Sequence, residues 1–344
     1  MAPGNPQSAV IKTLPVTVGN ERCHRCGRGP VPMDAEYRHL CIGCAARWIE
    51  ARATHDDLAA QGKLTTLQTV RHRAASHFPS TSVRSGPEHA VNAMAAEIRR
   101  WIETRRPRYE LPNPELLLRE LIFNSVNYCY WEGRADHKPA GGGASLMYRL
   151  IDGVFREHST FASRLDAARR QVALAGFPLA GDRLHCLDEF EQARETAIRE
   201  FLSAIDAEMN IEFMLDWLTT LLPGFGHDPF RKRAVLFFHC CRWRFGLYRQ
   251  AIALLPAPID YHIPNILHRH GLLEYAPDLD GIIQRGESIT SGSEREWAIR
   301  AAAMCRCQDL AARARVTEGD VDACLFRLRK TACGPHHLTV TIDY

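Results

Sequence analysis

Phe230 to Tyr248 is apolar nearly all the way round a helical wheel, with Val235, Leu236, Phe237, Phe238, Phe245 and Tyr248 spread over every face. A helix of this kind cannot lie on a surface, so other elements must surround it. The flanking sequence supplies helices for that purpose. Leu187 to Leu222 places Phe190, Ile198, Phe201, Leu202, Ile205, Phe213, Trp217 and Leu221 at helical spacing. Asp188 with Glu191 reads as a capping signal there, and Pro223-Gly224 ends the run. Ser293 with Glu296 predicts a capping box opening a helix through Met304 to about Ala314. Strand patterns are scarce; Leu338 to Ile342 alternates as a short strand would. The expectation is a mainly α fold.

Composition allows a large core and excludes several classes. The chain has 344 residues, 46% of them hydrophobic, and a net charge of +3. That suits one large domain or two smaller ones and does not demand a nucleic-acid or membrane partner. The longest apolar run, near Ala234 to Phe238, is too short to span a bilayer. Met1 to Pro6 lacks the basic and apolar regions of a secretory signal, so the protein is expected in the cytoplasm. Twelve cysteines without such a signal predict reduced thiols or metal ligands.

Four of those cysteines form a pattern. Cys23-x-x-Cys26 and Cys41-x-x-Cys44 are two knuckles that can bring four thiolates to one structural zinc. A closed tetrathiolate leaves no open position, so its role is folding and docking, with a protein or nucleic-acid partner. No catalytic cofactor is expected. Residues 1–20 read as a flexible lead, 21–54 as a zinc ribbon with a helix over Ala45 to Ala53, 55–87 as a linker with some helix, and 88–344 as a helical domain. Cys305, Cys307, Cys324 and Cys333, with His336 and His337, match no metal spacing and read as core residues.

Two residues stand out in the helical part. Asp260 lies just ahead of a helix opened by Pro264, where backbone donors and the helix dipole favour a charged carboxylate. A capping acid would look the same. Lys232 sits in the first turn of the apolar helix, where it must snorkel to water or meet an anion. His262, His268 and His270 flank the Asp260 turn and read as solvent-facing.

Segments of residues 120–344 resemble, in order, the queuosine-salvage protein family. They are Asn127-Tyr128-Cys129-Tyr130-Trp131, Phe230-Arg231-Lys232-Arg233-Ala234, Asp260-Tyr261-His262-Ile263-Pro264 with Leu272 to Tyr275, Gly292 to Ala301, and Pro335-His336-His337 through Tyr344. The resemblance implies a fold related to helix-hairpin-helix DNA glycosylases and an N-glycosidase releasing queuine from queuosine monophosphate. It implies Asp260 and Lys232 as catalytic, and Asn127, Tyr128, Trp131, Tyr261 and His262 as substrate-binding. Asn127 or Glu132 would assist the leaving base. His262 stands where the family has Arg, Asn265 where it usually has Gln, and Gly141 to Gly143 where it has a Gly-Tyr-Trp step. The zinc pattern is not part of the family. Two other functions fit the same residues: a base-excision protein that holds nucleic acid through the ribbon, and a binder that has lost activity.

Overall fold

Residues 18–19, 31–32, 66–131, 143–329 and 334–344 are described by the structure, a computed structural model. The chain divides into two compact units, Met1–Gln61 and Gly62–Tyr344. In the first, strands β1 (Val18–Gly19) and β2 (Val31–Pro32) pair antiparallel, with Val18 opposite Pro32. The cysteine quartet and the helix expected over Ala45 to Ala53 lie outside the described residues, as do Glu132, Gly141, Gly142 and Cys333.

The second unit is mainly helical, as the patterns predict. Part of the stretch read as linker belongs to it. Helix α1 (Thr66–His77) buries Leu67, Val70 and Ala74, and strand β3 (Val83–Ser85) pairs with β4 (Leu273–Tyr275). The apolar positions of α1 recur every three or four residues within a polar sequence, which made it look like linker. Helices α2 (Glu88–Thr104), α3 (Pro114–Ser125), α4 (Gly143–Glu157) and α5 (Phe161–Leu174) follow. Asn113 opens α3 by accepting the Leu116 N–H, with Pro114 beside it, a cap that contributes about 1 kcal/mol.

The run from Leu187 is three helices rather than one: α6 (Ala180–Ala193), α7 (Glu195–Asp206) and α8 (Ile211–Leu221). Asp188 is not a cap. It sits inside α6 and takes the Arg169 guanidinium at 3.0 Å. Asn210 caps α8, accepting from Glu212 and Phe213 N–H, and the run ends at Leu221 before Pro223 as expected.

The central apolar helix is α9 (Lys232–Cys240), continued by a wider π-type turn over Cys241–Phe245. After it come α10 (His262–Arg269), α11 (Pro277–Gln284), α12 (Glu294–Ala314) and α13 (Glu318–Leu328). Ser293 caps α12 through the Glu296 N–H; the Glu296 carboxylate turns to the Gly292 N–H, not to the cap residue. The strand expected over Leu338 to Ile342 reduces to a single bridge between Leu338 and Ser288. That segment instead lies against the core, burying Leu338, Thr339 and Thr341 and exposing Val340.

Two apolar clusters form the core of this unit. One gathers α3 to α9 around Leu121, Phe201, Phe237 and Phe238. The other gathers α1, α2, α10, α12 and α13 around Ile98, Ile266, Ile299 and Leu325. Among the places where the chain crosses between them are Phe230 to Ala234 and Ile259 to Ile263, because Phe230, Ile259 and Ile263 belong to the second cluster and Ala234 and Tyr261 to the first. Lys232 and Asp260 both lie at those crossings. Among the described residues, no helix is long and apolar enough to cross a membrane.

Candidate active site

Asp228 builds the start of α9. Its two carboxylate oxygens accept the Phe230 N–H at 3.0 Å and the Lys232 N–H at 2.7 Å. Arg231, between them, adopts φ 56°, a left-handed conformation that costs a non-glycine residue roughly 1–3 kcal/mol. The surroundings enforce it: Arg300 from α12 grips both Asp228 oxygens, at 2.8 and 2.7 Å, with both side chains buried. Burial alone would raise the Asp228 carboxyl, but Arg300 and the two backbone donors hold it below its usual value. Arg300 also donates to the Ile259 carbonyl at 3.3 Å and lies over the Phe230 and Tyr344 rings. One buried ion pair therefore fixes the backbone beside Lys232 and the residue before Asp260.

Asp260 is half-buried, and its Oδ1 accepts the His262 N–H at 2.7 Å and the Ile263 N–H at 3.4 Å. This is the geometry of an acid held at a helix mouth, as the sequence predicts. Lys232 is only 6% exposed. Burial lowers its ammonium below the usual lysine range, while Asp260 and Asp322 draw it back up. Its partners are acids within the fold, so the snorkelling alternative does not apply.

Asp322, on α13, is the residue that sequence reading missed. It is 7% exposed. Burial pushes its carboxyl well above the ordinary aspartate value, the Asp260 charge raises it further, and the Lys232 ammonium opposes both. Asp322 therefore keeps its proton at pH values where an exposed aspartate has lost it. The result is a three-member cluster: an acid on backbone donors, a buried lysine, and a second acid whose proton affinity is raised by burial. Cys240, in the same neighbourhood, has its thiol driven up by burial and by Glu120, so it offers no thiolate nucleophile.

An aromatic group adjoins the cluster. Trp131 meets Tyr261 edge-on at 4.2 Å and His336 at 5.1 Å, and Tyr261 lies 4.3 Å from His336. His262 lies tilted against Tyr261 at 4.2 Å and meets Phe326 edge-on. Burial and the Asp260 charge together keep the Tyr261 hydroxyl protonated. Two of the three flanking histidines are thus not solvent-facing. His262 joins this group, and His268 bonds the Leu273 carbonyl and stacks on Tyr275; only His270 is exposed.

The Asn127 to Trp131 segment divides. Trp131 reaches Tyr261, and Asn127 accepts the Tyr130 hydroxyl at 2.9 Å. Tyr128 lies against the buried guanidiniums of Arg183 and Arg233, 4.2 and 4.9 Å from its ring centre. Tyr128 is 1% exposed and packs in the apolar core. Cys307 and Cys324 lie in the apolar core, as read. Among the described residues, no cluster of three or more His, Cys, Asp or Glu is arranged to hold a metal ion.

Fold and site together define a class: a helical domain whose two cores meet at an acid–lysine–acid cluster beside an aromatic wall. The comparisons with known proteins specify it. Residues 245–344 match the profile of the queuosine salvage protein family. Over 260 residues the chain is 29% identical to a Sphaerobacter thermophilus protein named queuosine 5'-phosphate N-glycosylase/hydrolase, covering 65% of this chain and 80% of that relative. Over these residues the chain is similar to the queuosine salvage family. Asp260 and Asp322 fall within the profile match, and Lys232 lies just before it.

Proposed function

We propose that the helical unit is a hydrolase that cuts the base–ribose C–N bond of a modified purine or 7-deazapurine nucleotide resembling queuosine 5'-monophosphate, releasing the free base. The single observation that carries this reading is the Asp260 carboxylate, fixed on two backbone N–H groups beside buried Lys232 and buried Asp322. The name of the Sphaerobacter relative supports the same chemistry.

Breaking that bond leaves positive charge on the ribose ring and an electron pair on the base nitrogen. Asp260 meets the first requirement, because a preformed charge in a water-poor site stabilises what develops in the transition state. Asp322 meets the second as a general acid: its proton passes to the departing base, water supplies the hydroxyl that closes on the anomeric carbon, and the proton that this water loses restores the Asp322 acid. Lys232 balances the negative charge that this transfer creates between the two aspartates. Tyr261 and His262 offer flat surfaces for the base, with fully buried Trp131 packed edge-on against Tyr261. His262, in place of an arginine, removes a permanent charge from that wall and points to a base or sugar-phosphate contact different from that of relatives with arginine.

The test is to incubate pure protein with queuosine monophosphate and a panel of purine nucleotides and to look for free base by mass spectrometry. Release that disappears in Asp260→Ala supports the reading. Absence of turnover with every nucleotide, together with retained binding, would favour a non-catalytic relative instead. A net charge of only +3 disfavours a polynucleotide substrate, and base release from oligonucleotides alone would overturn the nucleotide assignment.

A further inference from the structure

We propose that Glu120 and Asn124, on α3, form a recognition site for a cationic amine carried on the base, at the far end of a cleft that starts at Lys232. The cleft shows in the burial of α9. Arg233, Ala234, Val235, Phe237, Phe238 and His239 are all buried, whereas Leu236 and Cys240 are half-buried. Those two stand four and eight residues after Lys232, and such positions fall on one face of a helix. Solvent therefore reaches this core helix along that line, and Arg244, four residues further on, is half-buried as well. From Lys232 to Cys240 the line covers about 12 Å at the α-helical rise. The charges of Glu120, Lys232 and Asp322 all act on the Cys240 thiol, and the Asn124 side chain bonds to it. Cys240 thus stands between the cluster at Asp260 and a second polar group on α3.

That second group has acceptors to spare. Glu120 is 3% exposed. Its Oε1 receives Arg244 and the Tyr148 hydroxyl, the latter at 3.3 Å, with Arg119 at 3.8 Å. None of these contacts uses Oε2. Neither arginine belongs to Glu120 alone: Arg244 also holds Glu110 through two bonds of 3.0 Å, and Arg119 holds Asp152. Burial accordingly outweighs them and raises the Glu120 carboxyl above its ordinary value. Asn124, fully buried, gives its Nδ2 to the Glu120 carbonyl at 2.9 Å, and its Oδ1 has no hydrogen-bond partner among the described residues. A carboxylate oxygen and an amide oxygen, one helical turn apart and both unused, call for a group with N–H donors and positive charge. A protonated amine supplies both, whereas a phosphate offers only acceptors and is repelled. The amine sits on the base because Asp260 holds the sugar at the other end; the proposal rests on the function proposed above for that orientation alone.

Two bases that differ in one group test this on the wild-type full chain. Free 7-aminomethyl-7-deazaguanine, which is cationic, and 7-cyano-7-deazaguanine, which is neutral, are titrated by calorimetry; their nucleoside monophosphates are compared in base release. The aminomethyl base is expected to bind about 10- to 100-fold more tightly, the worth of a charge-assisted hydrogen bond. Glu120→Gln keeps the shape and removes the charge, and should bring that ratio close to one, with the change in base release falling on KM rather than kcat. Should the variant be insoluble, the wild-type ratio still decides the matter. Equal wild-type affinity for the two bases, binding of neither, or an unchanged ratio in Glu120→Gln would overturn the proposal. Amine preference without base release from either nucleotide would uphold this site and defeat the N-glycosidase reading, and base release from both without preference would do the reverse.

Discussion

Asp322 differs from an ordinary aspartate because its carboxyl is buried beside another acid, and the consequence can be measured. Its folded-state proton affinity is raised, so between the ordinary aspartate value and its raised value the folded state binds more protons than the unfolded state. Stability contributed by this site is therefore full at low pH and falls as pH rises through that window. Asp322→Asn keeps the shape and removes the titration. The variant should melt at or above the wild-type temperature near neutral pH, with a gap that shrinks on acidification, read by calorimetry across a pH series. A variant less stable at neutral pH than at acid pH, relative to wild type, would show that Asp322 is ionised in the fold. The same substitution removes the proposed acid, so base release should slow by about 10²–10⁴-fold, the usual contribution of a positioned proton donor.

At the scale of elements, the Arg300–Asp228 pair joins helix Glu294–Ala314 to the start of helix Lys232–Cys240 and to the Ile259 carbonyl. Arg300→Met leaves Asp228 buried without its partner, and breaking such a pair by removing one member costs about 3–5 kcal/mol. Chemical denaturation should show a loss of that order; a loss below about 1 kcal/mol, the range of an exposed ion pair, would contradict the positioning role. These elements differ in how readable they were. The long helix announced itself through Ser293, Glu296 and unbroken apolar spacing, and the acid at position 260 through its place before Pro264. Asp322 gave no signal, because Val321, Cys324 and Leu325 around it read simply as core, and only packing brings that helix to the Asp260 turn. The surroundings of Tyr128 gave no signal either, because Arg183 and Arg233, the two buried arginines against its ring, are distant in sequence.

Across the whole helical unit, the candidate site occupies the line where two apolar cores meet, with Trp131 and Tyr261 anchored in one and Asp322 carried by a helix of the other. A ligand bound there touches both cores and is lost when either opens, so it should stabilise the unit as a whole. At a ligand concentration of 100 times Kd the gain is about 2.7 kcal/mol. Queuine or queuosine monophosphate should raise the melting temperature in a concentration-dependent manner, measured by scanning calorimetry, and adenosine monophosphate should raise it less. The central claim is narrower: a fixed negative charge at Asp260 drives cleavage of the C–N bond. Single-turnover release of free base from queuosine monophosphate by Asp260→Asn, an isosteric and neutral replacement, tests it most directly. The account predicts a loss on the order of 10³-fold at undiminished nucleotide binding; a variant that releases base at the wild-type rate would contradict it.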